Sequence, residues 1–524
     1  MTPIRTGLRG FTVVRPSATR PGAVTAAVAA ALGVLAAPHA MAQAASAAEL
    51  DHLKDQVQAL QRQIEQLQQA QQAQQAQQAQ QAQAPQAAAT PAKDSSAKPA
   101  PHVAESGTHR LSLESADGQT TIALTGRLHL DVGGYTSFKP DSTAVGTQLL
   151  SSGFNARRAR IGVTGKVGGV WTYQFIYDAG NSSDATAGGV EWAQISYVGF
   201  KGVQIDLPGY SEPPFTLETA QSSNDIMFLE RASPVNVATG LGTGDFRSNA
   251  GVFFYGDRYW VGAYLTGPQN GDSHTSVHER LGTFGRATFQ ALQADDYNLH
   301  LGVGIFGLIK APDTGLTTPA TVTLSDRPEL RIDPTALLTT GALGNAAHPV
   351  TGATVIDGEL AGGWGSLFAM GEFFHYSVDR RGLSNNSFDG AYGEVSYTLT
   401  GEHRRYLPNK GTYGSINPAH PVGSGPNGGW GAWEIAARYS YTDLIDQFVP
   451  GVALSAQPNA VDGGKLKNTT VGINWYVNSY MRFMLNYVHS ELDKANGTTV
   501  AGAPLGTPIG YKFDAIALRS QVNW

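Results

Sequence analysis

The segment TTVGINWYVNSYMRFMLNYVHS, Thr469 to Ser490, decides the fold class. Val471, Ile473, Trp475 and Val477 alternate with Thr470, Gly472 and Asn474. Successive side chains of a strand point to opposite sides, so a period of two gives one apolar and one polar face. Asn478-Ser479-Tyr480 then makes a tight turn between Trp475-Tyr476-Val477 and Met481-Arg482-Phe483. The segment therefore predicts an antiparallel hairpin of amphipathic strands.

The same period recurs on either side. Ile122, Leu124, Leu128 and Leu130 alternate with Thr121, Thr125, Arg127, His129 and Asp131. Val395, Tyr397 and Leu399 alternate with Glu394, Ser396 and Thr398, and Ile435, Ala437, Tyr439 and Tyr441 with Glu434, Ala436, Arg438 and Ser440. The pattern continues to the last residue, with Ile516, Leu518, Val522 and Trp524 on one face and Arg519, Gln521 and Asn523 on the other. A soluble domain ending this way would leave an unpaired apolar edge, whereas in a closed barrel the last strand pairs with the first. Residues 312–355 and 406–429 read as long loops rich in Gly, Pro, Asn and Thr, so short turns are expected at one end and long loops at the other. At roughly 25 residues per strand and connection, the region 107–524 holds about 16 strands, a number that leaves an aqueous channel. The expected fold is all-β, a transmembrane antiparallel β-barrel. A propeller would carry a blade-length repeat, and the sequence has none.

Composition agrees. The 524 residues include 62 Gly, 20 Tyr, 20 Phe and 8 Trp, with 15% charged residues and no Cys. Without cysteine there is no disulfide-stapled scaffold. A net charge of −6 and the lack of a basic run speak against nucleic-acid binding. Arg5, Arg9, Arg15 and Arg20 precede an apolar run from Ala23 to Ala37 and the small-residue box Ala40-Met41-Ala42. Residues 1–42 thus read as a signal peptide, the mature chain starting at Gln43, and the run is too short for a spanning helix. Leu50, Leu53, Val57, Leu60, Ile64 and Leu67 form an a/d seam, so residues 43–83 are expected to be a coiled-coil helix. The seam leaves dimer and trimer open. Residues 84–106, rich in Pro and Ala, read as a linker.

Several segments resemble the phosphate-selective porin O and P family. They are GFNARRARIGVTGKVGGVWTYQFIYD (153–178), PPFTLETAQSSNDIMFLERASP (213–234), LSDRPELRID (324–333), VSYTLTGEHRRY (395–406), GAWEIAARYSYTDL (431–444) and the opening hairpin segment, 469–490. They follow the family's order across the region after Gly107. The resemblance implies a 16-stranded outer-membrane porin that forms a homotrimer, with a long loop folded inward to narrow the pore. It further implies basic lumen side chains that draw small anions, phosphate or polyphosphate among them, toward that loop. The implied surroundings are outer-membrane lipid and lipopolysaccharide, with the coiled coil in the periplasm. The strand ending in Trp524 resembles the signal read by the barrel assembly machinery. The chain departs from the pattern at Tyr210-Ser211-Glu212-Pro213-Pro214-Phe215, where many members place a Lys just before the EPF element. The barrel region also holds 28 Lys plus Arg against 36 Asp plus Glu.

Alternation assigns the pore-facing candidates. Arg127, Arg158, Arg160, Arg438, Arg482 and Arg519 lie on polar strand faces, with Arg158 and Arg160 opposite Ile161 and Val163. Guanidinium groups stay charged and fit phosphate bidentately, so a row of them lowers the barrier to anions; the alternative is that each is paired to a lumen carboxylate. The constriction loop is expected over residues 208–248, with Ser211, Glu212, Phe215, Glu230, Arg231 and Arg247 as its candidates. No enzyme is expected: His375 and Ser377 point the same way without further signal, the Gly240–Gly244 cluster precedes no helix, and GGKLKNTT (463–470) lacks phosphate-loop spacing. The 13 His form no metal-ligand set, and neither metal nor cofactor is expected. Two other readings remain: a pore for sugars, organic acids or solutes in general, and a barrel-anchored adhesive protein. The barrel's large share of the chain speaks against the second.

Overall fold

The computed structural model describes residues 102–105, 111–142, 150–180, 188–241, 246–270, 278–294, 296–313, 319–423, 428–498 and 503–524. The expected signal peptide and coiled coil lie outside these residues, as does the linker up to residue 101. At the end of the expected linker, His102–Glu105 is a short strand paired with Leu111–Glu114.

Of the eighteen strands in the main sheet, two form this leading hairpin and sixteen form a closed antiparallel barrel. The barrel strands are β1 (Thr121–Pro140), β2 (Gly153–Val167), β3 (Trp171–Asp178), β4 (Gly189–Tyr197), β5 (Val203–Ser211), β6 (Arg247–Tyr255), β7 (Tyr259–Gln269) and β8 (Leu281–Gln293). They continue with β9 (Tyr297–Lys310), β10 (Val350–Trp364), β11 (Leu367–Arg380), β12 (Asn386–Thr398), β13 (Ala432–Asp446), β14 (Val461–Tyr476), β15 (Met481–Asp493) and β16 (Tyr511–Asn523). Each pairs with its chain neighbour, and β16 closes on β1 in the register Asn523↔Arg127 to Lys512↔Lys139. The seam reaches the last residue, because Gly126 and Trp524 exchange backbone hydrogen bonds of 3.0 and 3.1 Å. A Cβ on Gly126 would lie 2.3 Å from the Trp524 ring, so only glycine seats that ring.

The period of two sorts the wall as expected. Val261, Leu301, Val303, Ile356, Leu360, Ile435, Val471, Ile473, Leu485 and Ile516 are exposed on the outer face, where lipid replaces water. Trp433, Trp475 and Phe483 stack along neighbouring strands at the short-turn end, with centroids 5.4 and 5.6 Å apart. Such an aromatic band suits the membrane boundary.

The ends do not divide as the sequence suggested. Residues 141–152, 179–188, 212–246, 270–280, 311–349, 447–460 and 494–510 connect strands at one end, and tight turns such as 168–170, 256–258 and 365–366 at the other. The connection 399–431 between β12 and β13, expected among the long loops, instead belongs to the tight-turn end. It folds into the barrel: the Thr412 hydroxyl donates to the Leu217 carbonyl (3.0 Å), Arg286 to the Gly411 carbonyl (2.8 Å), and Tyr413 is fully buried against Phe368. Loop composition reports length and turn chemistry but not the membrane side, so the sequence could not place it.

Inside, Phe215, Leu217, Met227, Phe228, Val235 and Leu241 of the connection 212–246 pack on Trp260, Tyr264, Phe284, Phe306, Phe374 and Tyr376 of the wall. Val322, Leu324, Leu338 and Leu343 of the connection 311–349 join the same apolar core. The inward faces of β6 to β12 are therefore not wholly polar. They carry the aromatics that anchor the loops beside buried charged side chains such as Arg286, Asp357, Glu359 and Glu372.

Candidate pore constriction

The inward connection is bounded more tightly than the sequence suggested. Ser211 is the last residue of β5 and Arg247 the first of β6, so the loop proper runs over 212–246. Two short helices shape it, α1 (Leu217–Ala220) and α2 (Ser233–Leu241). Thr216 caps α1 by accepting from the Thr219 backbone N–H at 3.2 Å, while Thr219 reaches back to the Thr216 N–H. This reciprocal pair satisfies donors that a buried helix start would leave orphaned. Gly240 and Leu241 close α2, so the glycine cluster follows a helix.

Three wall arginines and Arg404 of the connection 399–431 hold the segment 225–230 by its backbone. Arg404 donates to the Asp225 carbonyl (2.7 Å), Arg482 to Ile226 (2.9 Å), Arg519 to Leu229 (2.5 Å) and Arg438 to Glu230 (3.0 Å). Most are also neutralised by carboxylates. Arg519 meets Asp131 bidentately at 2.7 and 2.7 Å and Glu230 at 3.1 Å. Arg438 pairs with Glu329 of the connection 311–349 and stacks over Phe228 at 4.5 Å. Arg404 meets Glu434 at 2.9 Å. Arg482 instead donates to the Gln521 amide oxygen at 2.9 Å. Three of the sequence candidates, Arg438, Arg482 and Arg519, thus clamp the loop.

The arc of β1 and β2 differs. A bulge interrupts the register between His129↔Arg158 and Leu130↔Ala156, leaving Arg157 without a partner residue on β1. An extra residue in one strand turns two neighbouring side chains to the same side. Arg157 and Arg158 are accordingly both buried in the lumen, although strict alternation would send Arg157 into lipid. Arg157 meets Glu230 at 2.7 and 3.1 Å. Burial alone would raise the Glu230 carboxyl, but Arg157 and Arg519 overcome it and hold it well below the usual carboxylate range. Arg160 is neutralised by Asp178 (2.8 Å) and Glu191 (2.8 Å).

Arg127 and Arg158 keep their charge available. Arg127 donates to the hydroxyls of Ser223 (2.6 Å) and Ser222 (3.3 Å), and no carboxylate among the described residues lies within ion-pair distance of it. Arg158 is 3% exposed, and its Nε and Nη1 have no hydrogen-bond partner. His129, the partner residue of Arg158 on β1, bonds Asn224 at 3.0 Å. The Arg127 guanidinium and two hydroxyls thus meet at the inner edge of the loop, with Asn224 on His129 and Arg158 across the sheet from His129.

The remaining loop candidates are structural. Phe215 is fully buried against Phe284 and Phe306. Arg231 bridges to Glu212 at 3.0 Å and donates to the carbonyls of Glu218 and Gln221. Ser211 accepts from Asn249 at 2.8 Å, and Arg247 donates to the carbonyls of Gly240 and Gly267. Ser222, Ser223, Asn224 and Arg157 were missed: the serines lie in an irregular segment, and a bulge leaves no periodic trace. His375 bonds Asp389 at 2.7 Å on the outer wall.

A sixteen-stranded barrel with an apolar outer wall and a loop clamped across its interior defines an outer-membrane porin. The family model for phosphate-selective porin O and P matches residues 122–524, and the chain belongs to that family. Porin O of Pseudomonas aeruginosa is 25% identical over 403 residues, 73% of this chain and 86% of that protein. A Caulobacter vibrioides protein is 27% identical over 412 residues, covering 76% and 75%. Among solved structures, an anion-selective porin from Comamonas acidovorans aligns at 13% identity and a TM-score of 0.43, over 77% of this chain and 100% of that one.

Proposed function

We propose that this porin conducts small anions by passive diffusion, with phosphate-class oxyanions its preferred solutes. The observation that carries this reading is Arg127, which meets the hydroxyls of Ser222 and Ser223, with Arg158 buried across the sheet from His129, while the surrounding arginines are occupied. Guanidinium and hydroxyl donors replace part of an oxyanion's hydration shell, and the flanking carboxylates Glu191, Glu212 and Glu230 keep the site from becoming a trap. The family's description, phosphate-selective porin O and P, points the same way. The functional unit is a homotrimer, with residues 43–83 forming a coiled coil on the periplasmic side.

A planar-bilayer recording in a chloride gradient, with phosphate then titrated in, tests the reading. Insertion in steps of three, an anion-signed reversal potential and phosphate block are the expected results. Large conductance with weak selectivity and no block would replace it with a general-solute pore, a reading favoured by the lack of a lysine in Tyr210-Ser211-Glu212-Pro213-Pro214-Phe215.

A further inference from the structure

On the inward faces of β10 and β11, Asp357, Glu359 and Glu372 are all buried, and one oxygen from each lies within 4.8 Å of the others. Glu359 and Glu372 are direct partners across the two strands. Three carboxylates against the single guanidinium of Arg286, which meets Glu359 at 2.6 and 2.8 Å, leave two negative charges in a dry region. His300 reaches Glu359 at 2.9 Å. Glu372 accepts from the Leu217 N–H (2.6 Å), the Glu218 N–H (3.2 Å) and the Tyr392 hydroxyl (2.6 Å). Asp357 is 0% exposed, and among the described residues neither of its oxygens has a donor. An uncompensated carboxylate at such a position is costly, and native structures supply a counter-charge.

The neighbouring strand makes room for one. Gly302 and Gly304 of β9 stand opposite Glu359 and Asp357. A Cβ on Gly302 would lie 2.3 Å from a Glu359 oxygen. A Cβ on Gly304 would lie 3.0 Å from the Phe215 carbonyl oxygen and 3.3 Å from Asp357 Oδ2. A neutral carbonyl of the constriction loop therefore borders the same space as the unpartnered carboxylate.

We propose that Asp357, Glu359, Glu372 and the Phe215 carbonyl oxygen bind one calcium-class divalent cation. Two oxygens on one calcium ion, each at about 2.4 Å, can be at most about 4.8 Å apart, and calcium accepts carboxylates and carbonyls in irregular geometry. Magnesium retains waters that this site has little room for. Glu359 Oε1, which accepts once from Arg286, and Glu372 Oε1, which accepts once from the Leu217 N–H, each keep a second lone pair for the ion. A dication neutralises the two surplus charges and ties the wall of β10 and β11 to the loop beside α1. The site is separate from the anion path of Arg127 and Arg158, and the proposal stands whatever that path selects.

The test is a terbium titration of the full chain, refolded into detergent free of lipopolysaccharide and stripped with EDTA. We expect one saturable site per chain, with emission sensitised by tyrosine and displaced by calcium. Asp357→Asn should weaken binding at least tenfold, and so should Gly304→Ala, which leaves every charge in place. Asp389→Asn on the outer wall should change nothing. Absence of a saturable site in the unaltered protein would overturn the proposal and leave protons as the counter-charge. Equal binding by the unaltered protein and folded Asp357→Asn would also overturn it.

Discussion

Arg127 and Arg160 are direct partners across β1 and β2, yet their charges meet different neighbours. Arg160 lies between Asp178 and Glu191, each at 2.8 Å, whereas among the described residues Arg127 meets only the hydroxyls of Ser222 and Ser223. One guanidinium completes the wall and the other remains for a passing anion.

Arg127→Ala should therefore lower anion permeability without harming the barrel. Removing a unit charge about 5 Å from the path, at water-like dielectric, changes an ion's energy by about 0.8 kcal/mol, roughly fourfold in permeability. Arg158→Ala should act in the same direction. Reversal potentials in a chloride gradient measure the effect, and unchanged values for both variants would remove this pair from the anion path.

Arg160→Ala should behave differently, because it leaves Asp178 and Glu191 without their counter-ion. The local potential turns negative, so cation permeability should rise as anion permeability falls. Asp178→Asn added to Arg160→Ala should restore part of the anion preference. A double variant no better than the single one would contradict the pairing.

Arg438→Leu should loosen the constriction loop, since it strands Glu329 and frees the Glu230 carbonyl. Breaking one side of a buried pair costs roughly 3–5 kcal/mol, more than a loop can absorb without moving. Larger, noisier single-channel currents and faster proteolysis within residues 212–246 are expected, with Glu329→Gln in the same chain reducing both. A quiet channel of unaltered conductance would show that the apolar core alone holds the loop.

Selectivity should also depend on pH through Glu218. Burial pushes its carboxyl up to about 7, against the opposing pull of Arg438 and Arg231. The folded protein thus keeps a proton that the unfolded chain loses near 4.5. Stability from this group is fully present below that value, declines as pH rises to about 7, and is flat above. The same titration adds a negative charge beside the constriction. Anion preference should fall by roughly twofold between about pH 6 and pH 8, and Glu218→Gln should abolish the slope. An identical slope in that variant would assign the titration to another group.

Deleting Leu50 to Leu67 should weaken the trimer and leave the barrel folded. Semi-native gel mobility separates the two effects: folded monomer is expected, and unfolded chain would refute it.

Much of the wall was readable in advance. Alternation in residues such as Val471 to Val477 follows from the strand itself, since lipid outside and water inside impose a period of two. The strand number follows from length, and closure from an apolar edge that cannot be left open. The six arginine candidates lie on inward faces, and Arg157 joins them although alternation points it outward, because a one-residue bulge changes direction without changing composition.

The sequence by itself determined the barrel, its inward and outward faces and its family. Tertiary structure alone decided which lumen charges remain available. Arg438 and Arg519 meet carboxylates more than a hundred residues away, on Glu329 and Asp131, and Arg127 meets none among the described residues. The path of the connections 311–349 and 399–431 into the lumen was likewise invisible, as was the meeting of Asp357, Glu359 and Glu372 under Gly302 and Gly304. The physical reason is range: a period of two is a local property of one strand, while charge pairing inside a barrel depends on what the loops bring across it.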